Sequence, residues 1–176
     1  IYWPASTLIG PGCVKEIGED IKDLGLEKAL IVTDKILNEI GVVKKVTDVL
    51  DKSGIKYKIV DDVRPNPTMK NIHDGLKVYQ ENKCDFIISI GGGSPQDAGK
   101  AIGILAANGG EIKDYEGVNI SKKKSVPIIA INTTAGTASE VTIFYVITNE
   151  EKHIKMVMVD KNCLATIAVS DPELMI

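Results

Sequence analysis

Short β-branched runs recur along the chain at intervals of about one helix, and this alternation restricts the fold more than any other feature. Apolar runs at 29–33, 57–60, 85–90, 127–132, 154–159 and 165–169 are separated by longer segments, several of helical period. Strands joined through helices lie parallel, because each crossover returns the chain to the same end of the sheet. Most of these runs are apolar throughout, as in strands covered on both faces. The chain is therefore read as α/β: a Rossmann-like parallel sheet flanked by helices. Between the first two runs, Ile36, Leu37, Ile40, Val43, Val46, Val49 and Leu50 form one apolar stripe closed by Ser53-Gly54; between the second and third, Met69, Ile72, Leu76 and Tyr79 form another. A third helix is expected to open at Pro95 and to stop at Asn108-Gly109-Gly110. The stretch 109–125, with Lys122-Lys123-Lys124, is polar and aperiodic and reads as a surface connection.

The length of 176 residues suits about one domain. Apolar residues at 44% and charged residues at 26% exclude a disordered or fibrous chain. A net charge of -3 with mixed signs argues against a nucleic-acid surface or a polybasic membrane anchor, leaving small molecules as partners. Cys13, Cys84 and Cys163 form no C-x-x-C pair, which makes a disulfide framework or a thiolate zinc knot a poor fit and favours a cytoplasmic setting. No apolar run approaches the ~20 residues needed to cross a bilayer, and the first residues lack the pattern of a signal peptide.

The most informative motif is Gly91-Gly92-Gly93-Ser94-Pro95-Gln96-Asp97, between an apolar strand and a helix. Glycines there let the backbone turn sharply and approach a ligand, while free N–H groups at the helix start favour phosphate. The third glycine of the dinucleotide fingerprint is absent, replaced by Gln96, so the pattern departs from the standard one. A second cluster, Thr133-Thr134-Ala135-Gly136-Thr137-Ala138-Ser139-Glu140, also follows a strand; its hydroxyls suit phosphate or sugar oxygens equally with turn and cap positions. Asp34 stands where a carboxylate could accept from ribose hydroxyls, or cap the helix that follows. Asn66-Pro67-Thr68 reads as a strand end and helix cap, with a ligand role for Asn66 left open. His73 and His153 lie far apart and read as ordinary surface or partly buried histidines. Neither a metal set nor a nucleophile motif is visible.

Taken in order, Asp34 in Val-Thr-Asp, Pro65-Asn66-Pro67-Thr68, the Gly91–Asp97 loop, the Asn132–Glu140 loop, Lys155 and Asp171-Pro172-Glu173-Leu174 resemble the iron-containing (group III) alcohol dehydrogenases along the whole chain. The threonine loop and the closing residues look most like the 1,3-propanediol dehydrogenase, lactaldehyde reductase and methanol dehydrogenase branch. Ala138 replaces a glycine found in many relatives. The resemblance implies a dehydroquinate synthase-like fold of two domains, with residues 1–176 as the N-terminal NAD-binding domain. It places Asp34, Asn66, Gly92, Gly93, Ser94, Asp97, Thr133, Thr134, Thr137 and Lys155 around the cofactor. It also implies an all-helical domain after residue 176 that supplies an Asp and three His to a divalent metal, usually iron, and a homo-oligomer at full length. On that reading this chain alone holds no metal and turns over no alcohol.

Two alternatives stay open: the cofactor domain of a zinc-dependent glycerol dehydrogenase-like enzyme, whose threonine loop is expected to differ, and a freestanding nucleotide-binding regulatory module. Phe144 reads either as a neighbour of the nicotinamide or as core. Gly93 is expected to need a positive φ as well as the absence of a side chain.

Overall fold

The computed structural model describes residues 4–134 and 142–176. Its main sheet contains β1 (Ser6–Ile9), β2 (Lys28–Val32), β3 (Lys56–Val60), β4 (Phe86–Gly91), β6 (Ile128–Asn132) and β9 (Ile167–Ser170). They run parallel in the order β1-β9-β6-β4-β2-β3. The helices are α1 (Ile17–Asp23), α2 (Lys35–Glu39), α3 (Val42–Lys52), α4 (Met69–Glu81) and α5 (Gly93–Asn108). Every residue of β4 and β6 is buried, because helices cover both faces. On one side α4 and α5 pack Ile72, Ile102 and Leu105 on Leu30, Ile87 and Ile128. On the other, α1 and α3 pack Ile17, Ile21, Val46 and Leu50 on Ile31, Ile88 and Ile129. The period-two alternation along each strand thus feeds two separate cores.

The strand order fixes where a ligand can sit. From β2 the chain moves outward to β3, then returns across β2 to β4 and continues through β6 to β9. This is the flavodoxin-like winding with an added edge strand, and its direction reverses between β2 and β4. The crossovers on either side of the reversal splay apart, leaving a crevice at the carboxyl ends of these two strands.

A second sheet of β5 (Gly117–Val118), β8 (Ile154–Val159) and β7 (Phe144–Asn149) lies beyond α5, with β7 and β8 antiparallel. The run 154–159 is therefore not a strand of the parallel sheet. It buries only alternate residues, Met156 and Met158, against the core. Two further corrections concern helices and loops. The stripe from Ile36 to Leu50 is two helices, because Gly41 at φ 90° ends α2 and opens α3, leaving Ile36 and Ile40 exposed. The stretch 109–125 is partly structured, with a short 3-10 turn at Ile112–Tyr115 that buries Ile112. The third helix opens at Gly93, two residues before Pro95, and ends where expected, with Gly109 at φ 79°. Among the described residues, no helix is long and apolar enough to cross a membrane.

Candidate functional site: a dinucleotide crevice

At the reversal point lies a cavity of about 530 Å³, lined by Asp34, Asp61, Asp62, Arg64, the Gly92–Pro95 turn and Thr134, among others. Each wall comes from the carboxyl end of a strand: β2 leads into Asp34, β3 into Asp61, β4 into the glycines and β6 into Thr134. The three glycines have distinct jobs. Gly91 has φ 145°, and a Cβ there would lie 2.6 Å from Cγ of Pro95, so this glycine makes the turn. Gly92, at φ -89°, packs on Thr134, to whose Cγ2 an added Cβ would approach within 3.2 Å. A Cβ on Gly93 would meet nothing within 4 Å, so its bare backbone faces open space at the cavity wall. The positive φ expected at Gly93 therefore belongs to Gly91, the residue that leaves the strand. The cradle at Gly93, with N–H groups of the first turn of α5 beside it, fits a pyrophosphate.

Gln96 locks this turn. Its side chain is buried; Nε2 donates to Ile131 O at 3.0 Å and Gly91 O at 3.3 Å, and Oε1 accepts from Ser89 Oγ at 2.6 Å. It joins the ends of β4 and β6, where the standard fingerprint has a glycine. Sequence reading registered the departure without its use; a polar residue with an amide, in the first turn of an otherwise apolar helix face, was the available signal.

Asp34 lines the cavity and also caps α2, with Oδ1 accepting from Leu37 N at 2.8 Å. Both roles foreseen for it are geometrically compatible, since the cap uses one carboxylate oxygen. Asn66 adopts φ 59°, a left-handed conformation that asparagine tolerates, and its N–H donates to Ser94 Oγ at 3.3 Å. The Asn66 turn and the glycine turn are thereby tied together. Thr134 is held by Asn132, whose Oδ1 accepts from both its N–H and its Oγ1 at 3.0 Å. Thr133 is fully buried, and its Oγ1 has no hydrogen-bond partner among the described residues. Thr137 lies outside the described residues.

Asp97 and Lys100, both on α5, turn away from the cavity toward β7. Lys100 Nζ donates to Phe144 O at 3.0 Å and Thr142 Oγ1 at 2.8 Å, and the Val146 amide donates to Asp97. The two side chains thus satisfy the edge of β7 that β8 does not pair. Phe144 is about half exposed, so it is not core. Lys155 lies on β8 opposite Thr148, with its side chain exposed. His73 is half-buried and its Nε2 accepts from Ile112 N at 3.3 Å, while His153 sits exposed at φ 54° in the hairpin turn. Among the described residues no three His, Cys, Asp or Glu side chains are grouped to hold a metal ion.

Burial pushes the Asp97 carboxyl up to about 6, against the opposing pull of the Lys100 charge and the Val146 amide. The folded protein therefore holds this proton more tightly than the unfolded chain does. The associated stability is fully present below about pH 4 and is lost as pH rises to about 6. Replacing Asp97→Asn should remove that slope, changing the difference between variant and wild type by on the order of 2 kcal/mol across this window. Urea unfolding at a series of pH values measures it; parallel profiles for the two proteins would contradict the assignment.

Comparison with known proteins identifies relatives of this chain. The sequence profile described as iron-containing alcohol dehydrogenase matches residues 4–172. Alcohol dehydrogenase 4 of Schizosaccharomyces pombe is 47% identical over 174 residues, covering 99% of this chain and 41% of that protein. The NAD-dependent methanol dehydrogenase of Bacillus methanolicus is 44% identical over 175 residues, covering 99% of this chain and 46% of the relative. A crystal structure of 1,3-propanediol oxidoreductase superposes with a TM-score of 0.96 at 44% identity, covering 99% of this chain and 46% of that one. The chain thus spans less than half the length of these relatives.

Proposed function

Because the chain belongs to the iron-containing alcohol dehydrogenase family, we propose that it is the nicotinamide-cofactor-binding part of a metal-dependent alcohol dehydrogenase acting on a small primary alcohol, diol or aldehyde. The observation that carries the reading is the glycine cradle at the reversal point of the sheet, open toward a cavity that Asp34 also lines. The diphosphate would lie over Gly92, Gly93 and Ser94, where backbone N–H groups and the dipole of α5 offset its charge. Asp34 would accept from the adenosine ribose hydroxyls. The nicotinamide half would then extend past Thr134 toward β7 and β8, with Asn66 and Lys155 beside it. Asp97 would act from below, through the hairpin it holds.

When bound, NAD accepts or donates the hydride, and the divalent metal, iron by family, polarises the oxygen of the alcohol or aldehyde. The side chains of this chain bind and orient the dinucleotide. We place the metal ligands in a second, helical domain of the kind that the relatives' greater length allows for, and the protein in the cytoplasm, in keeping with three free, buried cysteines.

The proposal is tested by fluorescence titration with NADH and NADPH. NADH should bind more tightly, because Asp34 meets a 2′-phosphate with a like charge, and Asp61 and Asp62 line the same cavity. Asp34→Gly should narrow the ratio of the two dissociation constants by more than about tenfold. Glycine is a tolerated N-cap, so α2 should survive the change. Equal affinity for both nucleotides in the unmodified protein would remove Asp34 from the site, and failure to bind either would overturn the function.

A further inference from the structure

The β7–β8 hairpin is attached to the Asn66 turn by a set of bonds centred on Glu150, a residue that no motif singled out. Glu150 follows β7, and its Oε1 and Oε2 accept from the backbone N–H groups of Met69 at 3.2 Å and Lys70 at 3.1 Å, the first two residues of α4. Helix α4 already has a local cap: Thr68 Oγ1 accepts from Asn71 N, and Asn71 Oδ1 accepts from Thr68 N. That local box leaves the N–H groups of Met69 and Lys70 open, and a carboxylate from a different element fills them. One step away, Thr148 N donates to Pro67 O at 2.8 Å, and Thr68 and Thr148 form an isolated parallel bridge. Thr148 in turn faces Lys155 across the hairpin. The tip between the strands is fixed by Asn149, whose Oδ1 accepts from the N–H groups of Glu151 and Lys152 at 3.1 Å.

We infer that Glu150 is a positioning residue: it clamps the hairpin to the start of α4 and so sets the distance between Lys155 and the Asn66 turn, the two groups proposed to flank the nicotinamide half of the cofactor. This rests on the cofactor reading above. The clamp does not touch the adenosine half, whose walls are the carboxyl ends of β2, β3 and β4. Burial raises the Glu150 carboxyl pKa, but bonds from its own N–H, from Lys70 and Met69 and from the Thr68 hydroxyl outweigh it and leave the carboxyl below its ordinary value. The group is thus held as the anion that accepts both bonds. A charge-assisted pair of this kind resists opening more than a neutral cap does.

The test compares Glu150→Ala and Glu150→Gln with the unmodified protein, using NADH and ADP as separate probes and hydrogen exchange of amides 144–159 in the nucleotide-free protein. ADP carries the adenosine and diphosphate without the nicotinamide riboside. For Glu150→Ala, NADH affinity should fall by about tenfold while ADP affinity changes less than about twofold, and exchange across the hairpin should quicken by about tenfold. Glu150→Gln keeps one acceptor oxygen and should fall between the two. Equal weakening of NADH and ADP would mean general destabilisation and would overturn the inference, as would unchanged exchange in the hairpin. If the unmodified protein binds neither nucleotide, the cofactor reading itself fails, a result distinct from a variant that matches wild type. Should Glu150→Ala not fold, Glu150→Gln carries the same comparison.

Discussion

Replacing Asp171→Ala should cost about 3 kcal/mol of folding stability. Asp171 is 0% exposed. Its Oδ1 accepts from Gly12 N at 3.0 Å and Glu173 N at 2.9 Å, and its Oδ2 from Val14 N at 3.1 Å. Truncation leaves three backbone donors without their acceptor, the Val14 N–H buried and those of Gly12 and Glu173 partly so, and an unsatisfied buried donor costs about 1–3 kcal/mol. Asp171→Asn keeps an oxygen for the Oδ1 pair and should lose roughly half as much. Urea denaturation with a constant m-value measures both, and a loss under about 1 kcal/mol for the alanine variant would show that the N-terminal turn finds other partners.

Gly93→Val should abolish dinucleotide binding, by at least about a hundredfold, with the fold intact. The residue has no positive φ, and an added Cβ meets nothing within 4 Å, so the protein itself has room for a side chain. The space that valine would fill is the cavity wall on which the diphosphate is proposed to rest. Gly91→Val is the contrasting case. A Cβ there collides with Pro95 and the φ of 145° is strained for any side chain, so this variant should lose fold and binding together. Circular dichroism and NADH titration separate the two. A folded Gly93→Val protein with unchanged NADH affinity would reduce the glycine loop to a structural turn.

The parallel sheet was legible because β2, β4 and β6 are apolar runs of the right length, and α4 and α5 announce themselves by stripe, cap and stop. What escaped has physical reasons. β1 is an exposed edge strand whose Ser6-Thr7 start carries no apolar signal, and β7 is a mixed run in which Val146 and Thr148 face outward. The strand 154–159 looked like its parallel neighbours because Val157 is apolar yet exposed on the outer face of the hairpin, and Ile154, on the inner face, is exposed at the strand's start, which together hide its alternation. At the site, the glycine loop, Asp34 and Thr134 could be read from residue type and place. The lock by Gln96 and the clamp by Glu150 could not, because each acts across elements: Gln96 joins β4 to β6, and Glu150 reaches a helix far away in sequence.

The position of β1 bears on how the chain is made as well as on how it rests. Its pairing strand is β9, and the Gly12–Asp171 bond closes a loop of 159 residues. Such a contact forms late, because its closure entropy precedes any reward from pairing. During synthesis at about 5–20 residues per second, β2, β3, β4 and β6 can assemble with their helices while β1 still lacks a partner. For those seconds the border of β6 that β9 will occupy is an open template for strands of other chains. Yield on expression should therefore depend on how quickly β9 emerges and pairs with β6 and β1, more than on the stability of the finished sheet.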